Sequence, residues 1–279
     1  MKFSYFIVIL ILIPILHFSM DVLAHSSGSA KLDKLSEHIM LAPNNAGNYI
    51  KRGLLYESLG HNDLALTDLM RAEELGVKDK ILLPKARILF RQGQLLDALA
   101  LLNQLMIIVP ENRAGLLLRA QVYTKLLDFK SAIDDYRTLI SIEAQPTPGI
   151  YLALADSLLK LNQNNKNEVL QLLDDGIKKN SGLIQLQNRA VDLCVEWRWY
   201  DEAIARMKTL GEVLNHSSQW QVALADLYLK KGDHEQAKFY YKNSLDTLNA
   251  ERKTPKRDSR EKYATKQLDR LKGEPLSDG

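Results

Sequence analysis

Hydrophobic and polar residues alternate along most of the chain with the 3.6-residue period of amphipathic helices, in segments broken by short polar turns. With only 8 prolines and 14 glycines there are too few tight turns for an all-β chain. The segments themselves recur. An alanine follows a Gly- or aromatic-marked turn and opens a new apolar helix at Ala65, Ala98, Ala132, Ala203 and Ala237, at spacings of 33, 34, 71 and 34 residues. Val169 divides the long interval into 37 and 34, and the surplus falls in residues 162–167, a polar run where lengthening costs little. Each of the six units therefore reads as a first helix, a turn near Gly60, Gly93, Asp128, Asn162, Arg198 or Gly232, and a second helix.

The same register recurs inside the units. Upstream of each marked residue stands a small side chain: Gly53, Ala86, Ala120, Ala155, Val191 and Ala225. Three positions later comes a larger one, at Tyr56, Leu89, Tyr123, Leu158, Cys194 and Tyr228. Four after the marked residue stand Leu69, Leu102, Tyr136, Leu173, Met207 and Tyr241. Small residues let paired helices approach, and large ones fill the groove between them. Pro110 and Pro146 stop second helices, since proline lacks the donor N–H.

This pattern resembles the tetratricopeptide repeat family, most fully in Tyr49, Gly53, Tyr56, Gly60, Ala65 and Ala72. The resemblance spans residues 46–248 and implies an all-α fold, a right-handed superhelical solenoid of helix-turn-helix repeats. It further implies a concave groove, lined by the first helix of each unit, that binds a peptide or partner helix. Carried over, the groove positions are Leu54, Arg87, Gln121, Asp156, Asp192 and Asp226, followed one turn later by Ser58, Arg91, Lys125, Lys160, Glu196 and Lys230. Arg87, Arg91 and Lys125 make one half basic, and the other half carries an acidic row. Self-pairing at i,i+4 accounts for Asp156 with Lys160 and Asp226 with Lys230, but not for Arg87 beside Arg91 or Asp192 beside Glu196. The lysine and asparagine clamp of chaperone-binding members is not matched.

The ends read as caps. Residues 25–45 contain a flexible start and one amphipathic helix over 30–43, a half unit stopped by Pro43. Residues 249–279 hold a basic helix with a narrow stripe of Tyr263, Leu268 and Leu271, consistent with a solvated capping helix. Residues 1–24 have a different character: Lys2, a nearly unbroken apolar run over 3–20, then Val22-Leu23-Ala24 with the small-residue spacing of a signal-peptidase site. This predicts an exported protein, periplasmic or secreted, beginning at His25. The alternative is an uncleaved anchor through residues 5–20, holding the chain in the inner membrane facing the periplasm as an envelope assembly factor.

Composition narrows the chemistry. The 279 residues are 46% hydrophobic and 25% charged, the balance of a globular protein. The 37 basic and 34 acidic side chains give +3, too little to suggest nucleic acid. A single cysteine excludes a disulfide framework, and on its apolar face Cys194 reads as a small hydrophobe. No phosphate loop, His-Glu-x-x-His or Gly-x-Ser-x-Gly occurs, so no enzyme and no cofactor are expected. The one weak metal candidate is His25, whose free α-amino group after cleavage could chelate Cu(II) or Ni(II), with His38 as a further ligand. Trp197, Trp199 and Tyr200 form an aromatic knot at the fifth turn, mostly core. The expected partner is a protein or peptide.

Overall fold

The computed structural model describes residues 28–179, 183–213, 217–250 and 252–273, and every regular element among them is helical. A first helix, α1, covers 28–41. The next are α2 (Ala46–Ser58), α3 (Asn62–Glu74), α4 (Asp79–Arg91), α5 (Leu95–Ile108), α6 (Arg113–Lys125) and α7 (Phe129–Ile142). There follow α8 (Pro148–Leu161), α9 (Lys166–Lys178), α10 (Leu183–Glu196), α11 (Tyr200–Val213), α12 (Ser218–Lys231), α13 (His234–Ala250) and α14 (Pro255–Gly273). They group into two compact units, one through Leu139 and one from Ile140.

Local chemistry sets the helix boundaries. Asn45 and Asn112 cap α2 and α6, accepting from Gly47 N at 3.0 Å and Gly115 N at 2.9 Å. Val109, ahead of Pro110, is already extended at φ −135°, which ends α5 one residue early enough to avoid the proline ring. The turns inside five repeats share one hydrogen bond. The N–H of His61, Gln94, Asp128, Trp199 or Asp233 returns to the carbonyl of Tyr56, Leu89, Tyr123, Cys194 or Tyr228 at 2.7–2.9 Å. The residue before each donor is left-handed, as this helix stop requires.

Three of those left-handed residues are Gly60, Gly93 and Gly232, but two are Leu127 (φ 64°) and Arg198 (φ 61°). At the third turn the special residue is thus Leu127 and not its neighbour Asp128. Leu127 is largely exposed and contributes little packing in return for its strain. Leu127→Gly should therefore stabilise the protein by about 1 kcal/mol, measured by urea unfolding. The fourth turn departs from the pattern. Asn162 is extended at φ −154°, and Leu158 O accepts both the Asn162 N–H at 3.0 Å and the Asn165 side-chain amide at 3.1 Å. The insertion is therefore accommodated by an asparagine side chain.

Packing follows the repeat register. Ala65, Ala86, Ala98, Ala120, Ala132, Ala155, Ala203, Ala225 and Ala237 have no exposed surface. Gly53 is buried, and a Cβ there would sit 3.2 Å from both Ala65 O and Leu69 Cγ, so α2 and α3 touch nearly backbone to backbone. Tyr228 is buried, whereas Tyr56 and Tyr123 are half-buried, with an arginine over each ring, Arg52 at 5.9 Å and Arg119 at 5.8 Å.

Those arginines belong to a second register. Arg52 grips Asp68 through two hydrogen bonds of 2.7 and 2.8 Å, and Arg119 grips Asp135 at 2.8 and 2.6 Å. Both carboxylates are nearly inaccessible. Each arginine also reaches backwards, Arg52 to Ser36 Oγ at 3.0 Å and Arg119 to Asn103 Oδ1 at 3.1 Å. Ser36 in α1 thus occupies the place that Asn103 holds in α5, so α1 is the second helix of an incomplete unit. It begins at 28 and ends at 41, two residues ahead of the expected segment at each end.

The last helix also differs from expectation. Its buried face is Arg257, Ala264, Leu268 and Leu271, while Tyr263 stays partly exposed at the edge. Arg257 lies inside because its Nε donates to Leu248 O at 3.2 Å and its Nη1 binds Glu261 and, at 3.1 Å, Asp258. Among the described residues no helix is long and apolar enough to cross a membrane. Residues 1–24 and His25, on which the export, anchor and metal expectations rest, lie outside the described residues.

Candidate functional site

The packing register runs through both helices of each pair, and the expected groove positions fall on the even-numbered first helices. In the unit through Leu139, Leu54 and Ser58 lie on α2, Arg87 and Arg91 on α4, and Gln121 and Lys125 on α6. Arg87 and Arg91, like charges one turn apart, both reach back to α2. Arg87 Nη2 donates to Glu57 Oε2 at 3.1 Å and Arg91 Nη2 to Glu57 Oε1 at 3.0 Å. Glu57 is only 7% exposed, while the two arginine side chains keep 42% and 46% of their surface. One buried carboxylate thus holds two guanidinium groups that stay partly exposed, although Arg87 Nε is itself buried 3.0 Å from Glu57 Oε1. Lys125 is exposed, with Nζ 5.5 Å from the Phe90 ring centre, and Gln121 is exposed beside it. The face carries three cations against one anion, a surplus of two positive charges on helices α2, α4 and α6.

In the unit from Ile140 the acidic row is largely answered. Asp156 on α8 pairs with Arg189 of α10 at 2.8 Å, and the same arginine reaches Glu196 at 3.4 Å. Asp226 on α12 accepts from the hydroxyls of Tyr241 on α13 and, at 3.0 Å, Tyr263 on α14. Burial, with the Asp226 carboxylate next to it, pushes the Tyr241 hydroxyl well above the ordinary phenol range and keeps it a donor. Asp192 is exposed. The i,i+4 pairs of Asp156 with Lys160 and of Asp226 with Lys230 give way to partners on other helices. The ladder has one grammar: a carboxylate on one first helix, Glu57, Asp156 or Asp226, is met by a donor 33 to 37 residues later on the next, α4, α10 or α14.

Sequence reading alone missed Glu57 and Arg189. The signal for Glu57 was present: a charged residue four after Gly53, where the other units carry Phe90, Thr124, Leu159, Val195 and Leu229. Arg206 was also missed. It binds Asp174 through two hydrogen bonds of 2.6 and 2.9 Å. Cys194 beside it is fully buried, and burial pushes its thiol up to about 11, which keeps it protonated and inert at neutral pH. Trp197 and Trp199 are both half-buried, edge to face at 5.1 Å, with Lys166 Nζ over both rings. Among the described residues no three or more His, Cys, Asp or Glu side chains converge as metal ligands.

A family model described as tetratricopeptide repeat matches residues 46–75 and 221–247, which are α2 with α3 and most of α12 with α13. No curated protein sequence matches the chain. Solved structures similar to it include the C-terminal part of a TPR repeat-containing protein from Cytophaga hutchinsonii, 13% identical, covering 90% of this chain and 98% of that one with a TM-score of 0.66. A tetratricopeptide repeat protein from Parabacteroides merdae is 17% identical over 92% of this chain and 97% of its own, with a TM-score of 0.53. Pseudomonas aeruginosa pilF is 14% identical over 71% and 89%, at 0.50. At such identities the likeness is one of fold.

Proposed function

We infer that this chain, a tetratricopeptide-repeat protein, is a non-catalytic scaffold that works outside the cytoplasm by binding another polypeptide. A repeat of paired helices presents the same face again and again, which suits an extended or helical segment laid along several first helices. The observation that carries the reading is the surplus of positive charge around Arg87, Arg91 and Lys125, with Glu57 holding the two guanidinium groups in place. A pair of arginines fixed by a buried carboxylate is preorganised to receive carboxylates, since little side-chain freedom remains to be lost. Leu54, 36% exposed at the edge of this face, offers an apolar contact. The favoured ligand is therefore an acidic segment with an apolar residue, and Gln121 supplies a neutral hydrogen-bonding position.

Export rests on residues 1–24 alone. Intact mass and N-terminal sequencing of the native protein, in soluble and membrane fractions, test it directly. A soluble species starting at His25 supports export and cleavage, whereas a membrane species starting at Met1 replaces it with an anchored envelope factor. The binding face is tested with a photo-crosslinker at Gln121. Arg91→Gln with Lys125→Gln leaves the Glu57–Arg87 contact intact. It should lower crosslinking of the native partner about tenfold or more, at an unchanged melting temperature. Equal crosslinking in the two proteins would remove the basic face from the function.

A further inference from the structure

The exposed side of α14 has a charge pattern that its role as an end cap does not use. The helix is locked in one rotation by buried Arg257, Ala264, Leu268 and Leu271 and by the Tyr263 bond to Asp226. At about 100° per residue, Lys256, Lys262, Lys266 and Arg270 then fall within an arc of about 120° opposite that buried face, and all four are exposed. The described acids of this segment flank that arc and are occupied. Asp258 and Glu261 bind Arg257, and Asp269 binds Lys272 at 3.1 Å. None of the four cations touches a carboxylate among the described residues. Arg252 and Lys253, also exposed, lead into the helix.

We propose that this outer face of α14 is an electrostatic docking surface for anionic phospholipid headgroups, holding the protein against a membrane surface without insertion. The cation row runs about 21 Å along a straight helix, and Pro255, Ser259 and Tyr263 share its arc. A protein partner needs a free apolar or aromatic anchor for affinity, and the one aromatic side chain in the arc, Tyr263, is already taken up by Asp226 through its hydroxyl and by the Tyr241 ring 6.4 Å away. A lipid surface needs only a plane of phosphates, which a convex row of lysines and arginine meets without rearrangement. Each cation near an anionic surface contributes about fivefold in binding.

The test is flotation of the full chain with vesicles of phosphatidylcholine alone and of phosphatidylcholine with phosphatidylglycerol, at low and high salt. Wild type is compared with Lys262→Gln, Lys266→Gln and Arg270→Gln combined. The apolar segment 3–20 is common to both proteins, and any insertion by it is insensitive to lipid charge and salt. Phosphatidylglycerol-dependent flotation that falls about a hundredfold in the triple variant, and disappears at high salt, supports the proposal. Equal flotation on both vesicle types, or no loss in the triple variant, overturns it. So does retention of polyglutamate without vesicle binding, which would assign the face to an acidic polypeptide. Circular dichroism establishes that the triple variant is folded, as expected for substitutions at exposed positions.

Discussion

Asp135→Ala should destabilise the protein by roughly 3 kcal/mol, read as a shift of the urea midpoint followed by far-UV circular dichroism. The carboxylate is 6% exposed and takes two hydrogen bonds from Arg119, whose side chain is itself only 19% exposed. Removing it leaves a guanidinium in a partly desolvated place with a single hydrogen bond, to Asn103, to offset the loss. The size of the loss reports the cost of an unpaired charge, and not the net worth of the pair. The double substitution Arg119→Met with Asp135→Leu separates the two, because it removes both charges and keeps the volume. It should recover most of the lost stability. If the double variant is as unstable as the single one, the arginine's bridge to α5 matters more than the desolvated charge.

Ala86→Leu should cost about 3 kcal/mol, at the upper end for added methylenes in a close-packed core. Ala86 has no exposed surface and stands in one cluster with Ala98, Leu102, Leu118 and Val122, where α4 meets its neighbours. The added side chain has no solvent to enter. It must push α4 away from α5 or force neighbouring side chains off their rotamers. Because stability in a repeat array is a sum of units and their nearest-neighbour contacts, the damage should be local first. Hydrogen exchange should show faster amides in α4, α5 and α6, with α12 and α13 unchanged. Uniform loss of protection across both units would contradict that picture.

The contrast between these two sites bears on what could be read in advance. Ala86 was visible because a recurring small residue at a fixed distance from a recurring alanine has one economical reason, the close approach of paired helices. The Arg119–Asp135 pair sits at an equally regular register, one before the small residue and three after the alanine. It is repeated only at Arg52 and Asp68, and two instances do not stand out among charged residues on helices. The basic face shows the same limit. Arg87, Arg91 and Lys125 were legible as groove positions, but their pairing with Glu57 was not, because the partner lies 30 and 34 residues away on another first helix.

Sequence by itself determined the helical class and the recurring register of small and large residues, because both depend on local periodicity and residue size. Tertiary structure alone decided which charges are answered and which remain. In the sequence Asp156 and Asp226 have an i,i+4 lysine and Glu196 has none, yet in the folded chain all three are engaged from other positions, by Arg189, Tyr241 and Tyr263. The outer cations of α14 remain because its three described acids turn to Arg257 and Lys272. Charge pairing depends on distances of a few ångströms between residues a full repeat apart, and a helical period carries no record of them.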